Sequence, residues 1–122
     1  MIKKRLLSFR YAFRGIALLF ATQANARIHL TAALAVLAAG IFFQVSRTEW
    51  MLLTLSICLV LMAEALNTAL EFLTDLVSPG HHELAGKAKD AAAGAVLLCA
   101  LGAAGVGIAI FGPRLSAWLG GT

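Results

Sequence analysis

Apolar residues recur at alternating three- and four-residue spacing near the start of the chain, which predicts an amphipathic helix. These apolar positions are Ile2, Leu6, Phe9, Phe13, Ile16 and Phe20. At about 100° per residue, Lys3, Arg10 and Arg14 fall within roughly 20° of a common direction and form a basic stripe. We therefore expect residues 1–27 to form a surface helix that lies in the headgroup layer of a membrane.

A secretory signal is the competing interpretation of this segment. Residues 3–5 are basic, residues 15–21 are apolar, and residues 24–26 resemble a small-residue cleavage site. Arg10 and Arg14 argue against a signal, because they interrupt the stretch that would normally be uniformly apolar.

Three further stretches are apolar enough to cross a membrane, and they cover residues 28–45, 50–77 and 91–111. A polar turn at residues 46–49 separates the first two, and a polar loop at residues 81–90 precedes the third. A helix of about 20 residues crosses a hydrocarbon core of about 30 Å. The pattern therefore predicts three transmembrane helices.

Composition supports a membrane protein. Hydrophobic residues make up 61% of the 122 residues and charged residues only 13%, whereas a soluble domain is about half apolar and about a quarter charged. We expect an all-α integral membrane protein whose residues 1–122 form one domain. A disordered chain and a disulfide scaffold are excluded. Nucleic acid is not an expected partner, because a net charge of +4 comes with too little polar surface to follow a phosphate backbone.

The basic residues also predict an orientation. Six of them precede the first span, and Lys87 and Lys89 lie between the second and third spans. Only Arg47 and Arg114 lie on the other side. The positive-inside rule therefore puts the N-terminus in the cytoplasm.

Small residues repeat every fourth position in the third span. They are Ala91, Ala95, Cys99, Ala103 and Gly107. Such a stripe lets helices approach closely, so we expect tight packing within a bundle or between protomers.

One narrow face of the second span is polar. Glu64, Glu71 and Asp75 lie within about 40° of one another on a helix, with Asn67 and Thr68 beside them. Charged residues within a span are costly and by default functional. At about 1.5 Å per residue from Trp50, Glu64 lies roughly 21 Å and Glu71 roughly 31 Å along the helix. The acidic face is therefore expected at the cytoplasmic boundary.

Carboxylates beside lysines at a membrane surface suit phosphoryl transfer. The carboxylates would hold Mg²⁺, the lysines would neutralise a polyphosphate, and Glu64 would accept the proton of a membrane hydroxyl. The alternative is that the polar residues pair and hold helices together. His29 is expected to contact a headgroup or a neighbouring helix, and the adjacent His81 and His82 are more typical of a solvated loop than of a zinc site.

Two motifs carry a resemblance to a known family. Residues 64–71 read EALNTALE and, after Asp75, residues 88–96 read AKDAAAGAV. These motifs resemble those of the small bacterial membrane lipid kinases, the prokaryotic diacylglycerol kinase and undecaprenol kinase family. Residues 9–15 and 27–29 extend the likeness over nearly the whole chain.

The resemblance implies a homotrimer in the bacterial inner membrane, with active sites shared between neighbouring protomers. ATP and Mg²⁺ would enter from the cytoplasm, and the bilayer would supply a lipid alcohol as substrate. It implies that Glu64 is the general base, that Asn67 orders the site and that Glu71 binds metal. The residues implied at the ATP site are Lys89, Asp90, Tyr11, His82 and Lys4.

Gln23 departs from the family pattern, in which a glutamate at this position contributes to metal binding. A glutamine offers only a neutral carbonyl oxygen, so we expect weaker metal dependence or lower turnover. A catalytically impaired relative is therefore an alternative. The lipid is left open between undecaprenol and diacylglycerol, with more motif similarity to the undecaprenol kinase branch.

A small transporter or channel subunit is the rival class, with Glu64 as its proton site. Small multidrug transporters normally show four spans and one isolated membrane glutamate. Three spans, with an acidic cluster beside lysines at one surface, favour a nucleotide site over a central pathway.

Overall fold

The structure, a computed structural model, describes residues 1–121 and contains four helices within them. They are α1 (Ile2–Thr22), α2 (Ala24–Phe42), α3 (Arg47–Val77) and α4 (Glu83–Leu119). Helices α2, α3 and α4 are long and apolar enough to cross a membrane. The predicted all-α class with three membrane-spanning helices after an N-terminal helix is therefore confirmed.

A break at Gln23 ends α1 earlier than the predicted surface helix of residues 1–27. Gln23 is extended, with φ −108° and ψ 112°, and residues 24–27 belong to α2. The Arg27 guanidinium reaches back to donate to the carbonyls of Phe20 (2.9 Å) and Ala21 (3.2 Å). These carbonyls lie in the last turn of α1, where helical partners are missing and positive charge is favourable. Arg27 therefore stabilises the corner between α1 and α2.

Helix α4 replaces most of the polar loop predicted at residues 81–90, which is a correction to the sequence analysis. The Nδ1 of His82, at the N-cap, accepts a hydrogen bond from the Leu84 N–H at 3.1 Å. Glu83 lies in the first turn, where a negative charge is favourable, and pairs with Lys87 at 2.9 Å. A capped and charge-stabilised first turn therefore starts the helix at Glu83.

The other end of α4 also differs from the predicted span of residues 91–111. The helix continues through Pro113 to Leu119. Proline removes a backbone donor from a helix interior. In the same turn, the Arg114 guanidinium donates to the Ile110 carbonyl at 2.7 Å. This side-chain bond supports the helix where its backbone ladder is interrupted.

A capping box starts α3 at Arg47, ahead of the predicted start at residue 50. The Glu49 N–H donates to Ser46 Oγ at 3.2 Å, and the Ser46 N–H donates to Glu49 Oε1 at 2.9 Å. Two backbone donors at the helix start are satisfied in this way.

The hydrophobic core lies at the end of the bundle where α2 turns into α3. Val45, Leu53 and Ile110 are buried there. The residues packed against them are Val36, Phe43, Trp50, Val106 and Phe111. The polar face of α3 lies towards the opposite end of that helix, which is the end nearer to α1. The core therefore fixes α3 against α4 at one end and leaves the polar face free for chemistry at the other.

Candidate functional site

Glu64 is the most deeply buried charged residue of the polar face, with 2% of its surface exposed. Its Oε1 atom is buried and has no hydrogen-bond partner within residues 1–121. The imidazole of His29 on α2 lies close by, with its Nε2 3.3 Å from this oxygen but without the alignment of a hydrogen bond. A buried carboxylate oxygen with a free lone pair is an available proton acceptor.

Asn67 and Glu71 lie on the next turns of the same face. Asn67 Nδ2 donates to Glu71 Oε1 at 3.3 Å, which is the sense required because a carboxylate only accepts. The Asn67 Oδ1 atom is buried and has no partner in the described part of the chain. The Asn67 side chain thus holds the Glu71 carboxylate through its nitrogen and leaves its oxygen available to a ligand.

These oxygens fit a magnesium ion. Mg²⁺ takes oxygen ligands, usually one or two carboxylates together with substrate phosphates and waters. The Glu71 carboxylate accepts from Asn67 Nδ2, and the buried Asn67 Oδ1 has no partner within residues 1–121, so both side chains have lone pairs for a metal. No cluster of three histidine, cysteine or acidic side chains occurs within residues 1–121, so this protomer offers a partial ligand set rather than a closed cage.

Lys89 contacts the polar face of α3 by pairing with Asp75. Its ammonium group forms an ion pair with the Asp75 carboxylate, which joins α4 to α3 one turn after Glu71. Asp90 follows Lys89 on α4 and is exposed. The predicted nucleotide residues Lys89 and Asp90 therefore lie on a helix that contacts the acidic face.

Three other predicted nucleotide residues are not joined to this face. Lys4 and Tyr11 lie on the exposed surface of α1, and no hydrogen bond or ion pair within residues 1–121 links them to α3. His82 is exposed and caps α4. Gln23, predicted as a metal ligand, is half-buried at the α1–α2 corner, where its Nε2 donates to Thr22 Oγ1 at 3.2 Å.

His29 and Thr68 are polar neighbours of Glu64 that the sequence analysis did not assign to the site. Thr68 is buried, and its hydroxyl donates to the Glu64 carbonyl at 2.9 Å. The expected contact of His29 with a neighbouring helix is confirmed, with Glu64 as the partner. The signal was available, because polar residues inside apolar helices commonly pair with one another.

Two apolar cavities lie near Glu64, and each is lined by one of its polar neighbours, His29 or Thr68. One, of about 550 Å³, lies between α2, α3 and α4, and His29 is the polar residue in its lining. The other, of about 320 Å³, lies between α1 and α3, where Leu19 faces Thr68 and Phe72. Apolar space beside His29 and Thr68, the two polar neighbours of Glu64, suits a ligand with a hydroxyl group and a hydrocarbon body.

Several known proteins are similar in sequence to the chain. The model of the family "Prokaryotic diacylglycerol kinase" matches residues 10–111. Over 111 residues the chain is 48% identical to a diacylglycerol kinase of Synechocystis sp., covering 90% of the chain and 63% of that protein. It is 44% identical over 108 residues to the undecaprenol kinase of Bacillus subtilis, covering 88% of each.

A relative with lower identity is also named diacylglycerol kinase. The diacylglycerol kinase of Escherichia coli is 32% identical over 88 residues, covering 72% of each protein. The chain thus spans less than two thirds of the Synechocystis protein and most of the Bacillus and Escherichia proteins. With a family match over most of its length and these identities, the chain belongs to the prokaryotic diacylglycerol kinase family of membrane proteins.

Proposed function

We propose that the chain is a lipid kinase that transfers the γ-phosphate of ATP to the hydroxyl group of a membrane lipid alcohol. The names of its relatives support two candidates for that alcohol, diacylglycerol and undecaprenol. Both are hydroxyl-bearing molecules that stay in the bilayer. An acidic face that borders apolar cavities is compatible with either.

The buried and unpartnered Oε1 of Glu64 is the observation that carries this proposal. Glu64 takes the proton of the lipid hydroxyl as the hydroxyl oxygen attacks the γ-phosphorus. The bond between that phosphorus and the bridging oxygen of ADP breaks, and the products are a lipid phosphate and ADP. General base catalysis of this kind contributes about 10²–10⁴ in rate.

The other polar residues bind and orient the reactants. Asn67 orders the site, and Glu71 with Gln23 provides oxygen ligands for Mg²⁺. A bound Mg²⁺ neutralises charge on the transferred phosphoryl group. The residues that hold the nucleotide are Lys89, Asp90, His82, Tyr11 and Lys4.

The active form is proposed to be a homotrimer with shared sites. Two observations support further chains around this one. A methyl group added at Gly94, Gly102 or Gly105, which lie within about 80° of one another on α4, would meet nothing within 4 Å, so this side of the helix has room for another helix. Lys4 and Tyr11 also lack a link to the acidic face within this protomer, as a site completed by a neighbour would require. Light scattering of the purified protein in detergent tests the trimer.

The membrane orientation belongs to the same proposal. The N-terminus, Lys87 and Lys89 face the cytoplasm of a bacterial inner membrane, where ATP is present. Labelling of single introduced cysteines from either side of intact vesicles tests this orientation.

Transfer of labelled γ-phosphate from Mg·ATP tests the activity. Purified protein in lipid micelles is offered undecaprenol and diacylglycerol in parallel. We expect label in one or both lipids from the wild type and none from Glu64→Gln. Glu83→Gln is the matched control, because this exposed carboxylate pairs only with Lys87 and its loss should leave transfer intact. Full transfer by Glu64→Gln contradicts the base assignment, and no transfer by the wild type contradicts the kinase proposal.

A further inference from the structure

His29 and Glu64 face each other across the α2–α3 contact near the polar face. The side chain of Glu64 is 3% exposed and that of His29 is 25% exposed. We propose that His29 is a positioning residue that holds the Glu64 carboxylate in the orientation needed to accept the lipid proton. This inference rests on the proposed kinase function.

The other donors near Glu64 are already committed. The hydroxyl of Thr68 donates to the backbone carbonyl of Glu64, and the amide of Asn67 donates to Glu71. Among residues 1–121, the imidazole of His29 is the side-chain group paired with Oε1, at 3.3 Å. His29 is therefore the side chain placed to orient this carboxylate.

A buried carboxylate needs such a partner. Transferring an ionised carboxylate into apolar surroundings is very costly unless it is paired or hydrogen-bonded. Because the carboxylate only accepts, a favourable contact requires the hydrogen on Nε2 of His29. A small rotation of either side chain would align this N–H with Oε1. It would fix the plane of the carboxylate while a second lone pair faces the incoming hydroxyl.

The location of His29 also connects the base to the membrane. His29 lines the apolar cavity between α2, α3 and α4, where it is the polar residue among alanines, glycines, larger aliphatic side chains and Phe111. A carboxylate held by His29 is thus held at the edge of an apolar space. This is where the hydroxyl of a lipid would need to meet it.

Three substitutions of His29 test whether an N–H donor at the position of Nε2 is required. A glutamine side chain places an N–H donor close to the location of Nε2, whereas the amide of asparagine ends one bond shorter. We expect kcat to fall about 10- to 100-fold in His29→Leu, as is typical when a partner that orients a reacting side chain is lost. His29→Gln should recover much of that loss and His29→Asn should not. The KM for Mg·ATP should stay near the wild-type value in all three variants.

Thr31→Val is the matched control on α2. Thr31 is exposed, and its hydroxyl donates to the Arg27 carbonyl one turn earlier in the same helix. This variant should retain the wild-type kcat. Thermal melting of each variant in detergent reports folding, and the comparison of His29→Gln with His29→Asn remains decisive if His29→Leu fails to fold.

The outcomes separate this inference from the function on which it rests. No transfer by the wild type overturns the kinase proposal and this inference together. Wild-type activity that Glu64→Gln abolishes, combined with an unchanged kcat in folded His29→Leu, overturns the positioning role alone. Equal activity of His29→Gln and His29→Asn also overturns it, as does a change confined to the KM for lipid.

Discussion

Glu49 and Arg114 form a two-pronged ion pair that joins the first turn of α3 to α4 just beyond Pro113. Arg114 Nη1 lies 2.7 Å from Glu49 Oε2, and Arg114 Nη2 lies 2.7 Å from Glu49 Oε1. The guanidinium also donates to the Ile110 carbonyl, and Glu49 accepts the Ser46 N–H. One contact therefore ties together two helices, a helix cap and the proline-containing turn.

Arg114→Ala should lower the thermal midpoint of the protein in detergent. The substitution removes both bonds to Glu49 and the bond to the Ile110 carbonyl. A bidentate arginine–carboxylate pair is stronger than the single contact that a lysine can make. Arg114→Lys should therefore recover only part of the lost thermal stability. Lys87→Ala is the control, because its pair with Glu83 is exposed and such pairs contribute little. An equal fall of the thermal midpoint in Arg114→Ala and Lys87→Ala would contradict a special role for Arg114.

Gly40→Ala should destabilise the fold by about 1–3 kcal/mol, the usual effect of overpacking a core. A Cβ at this buried position would lie 2.5 Å from the Trp50 ring. Gly86→Ala is the control, because a Cβ at this position of α4 meets nothing within 4 Å. Trp50→Phe shortens the ring, so the double variant should be more stable than the sum of the single changes predicts. Additive losses in thermal melting would argue against the contact.

The repeating pattern of apolar residues was sufficient to predict the helices but not their ends. The break at Gln23 carries no glycine or proline, and it depends on Arg27 reaching back to the carbonyls of α1. Helix α4 passes through Pro113, where Arg114 is held by Glu49 from a distant part of the chain. At both points the stabilising contact is made by a side chain from another segment, which the local pattern of apolar residues does not report.

The candidate site likewise contains residues that helical spacing predicts and contacts that only the packing shows. Glu64, Asn67 and Glu71 could be grouped from sequence because helical spacing alone puts them on one face. The pairing of Lys89 with Asp75 and the approach of His29 to Glu64 depend on how α2 and α4 pack against α3. Spacing therefore identified the acid cluster and put lysines near it, whereas the specific pairs of Lys89 with Asp75 and His29 with Glu64 required the packing.

Lys89→Ala should raise the KM for Mg·ATP by about 10- to 100-fold, the effect of losing a hydrogen bond to a charged group worth about 1.5–3 kcal/mol. The lysine is 40% exposed and lies beside Asp75, so it can turn towards a bound phosphate. Lys87→Ala should change the KM less, because Lys87 pairs with Glu83 away from the acidic face. Steady-state kinetics over a range of ATP concentrations measure both values, and equal shifts would contradict the assignment.

Gln23→Glu should lower the Mg²⁺ concentration needed for half-maximal transfer and raise turnover. The change gives the α1–α2 corner a charged oxygen ligand in place of an amide that now donates to Thr22. Gln44→Glu is the matched control, since this exposed glutamine lies at the other end of α2, in the turn where its φ is 51°. Magnesium titrations of the wild type and both variants measure the effect. Curves for Gln23→Glu that overlay the wild type would show that residue 23 does not contact the metal, and an equal gain in Gln44→Glu would attribute the effect to net charge. A gain confined to Gln23→Glu would place the α1–α2 corner at the metal site, which one protomer alone leaves incomplete.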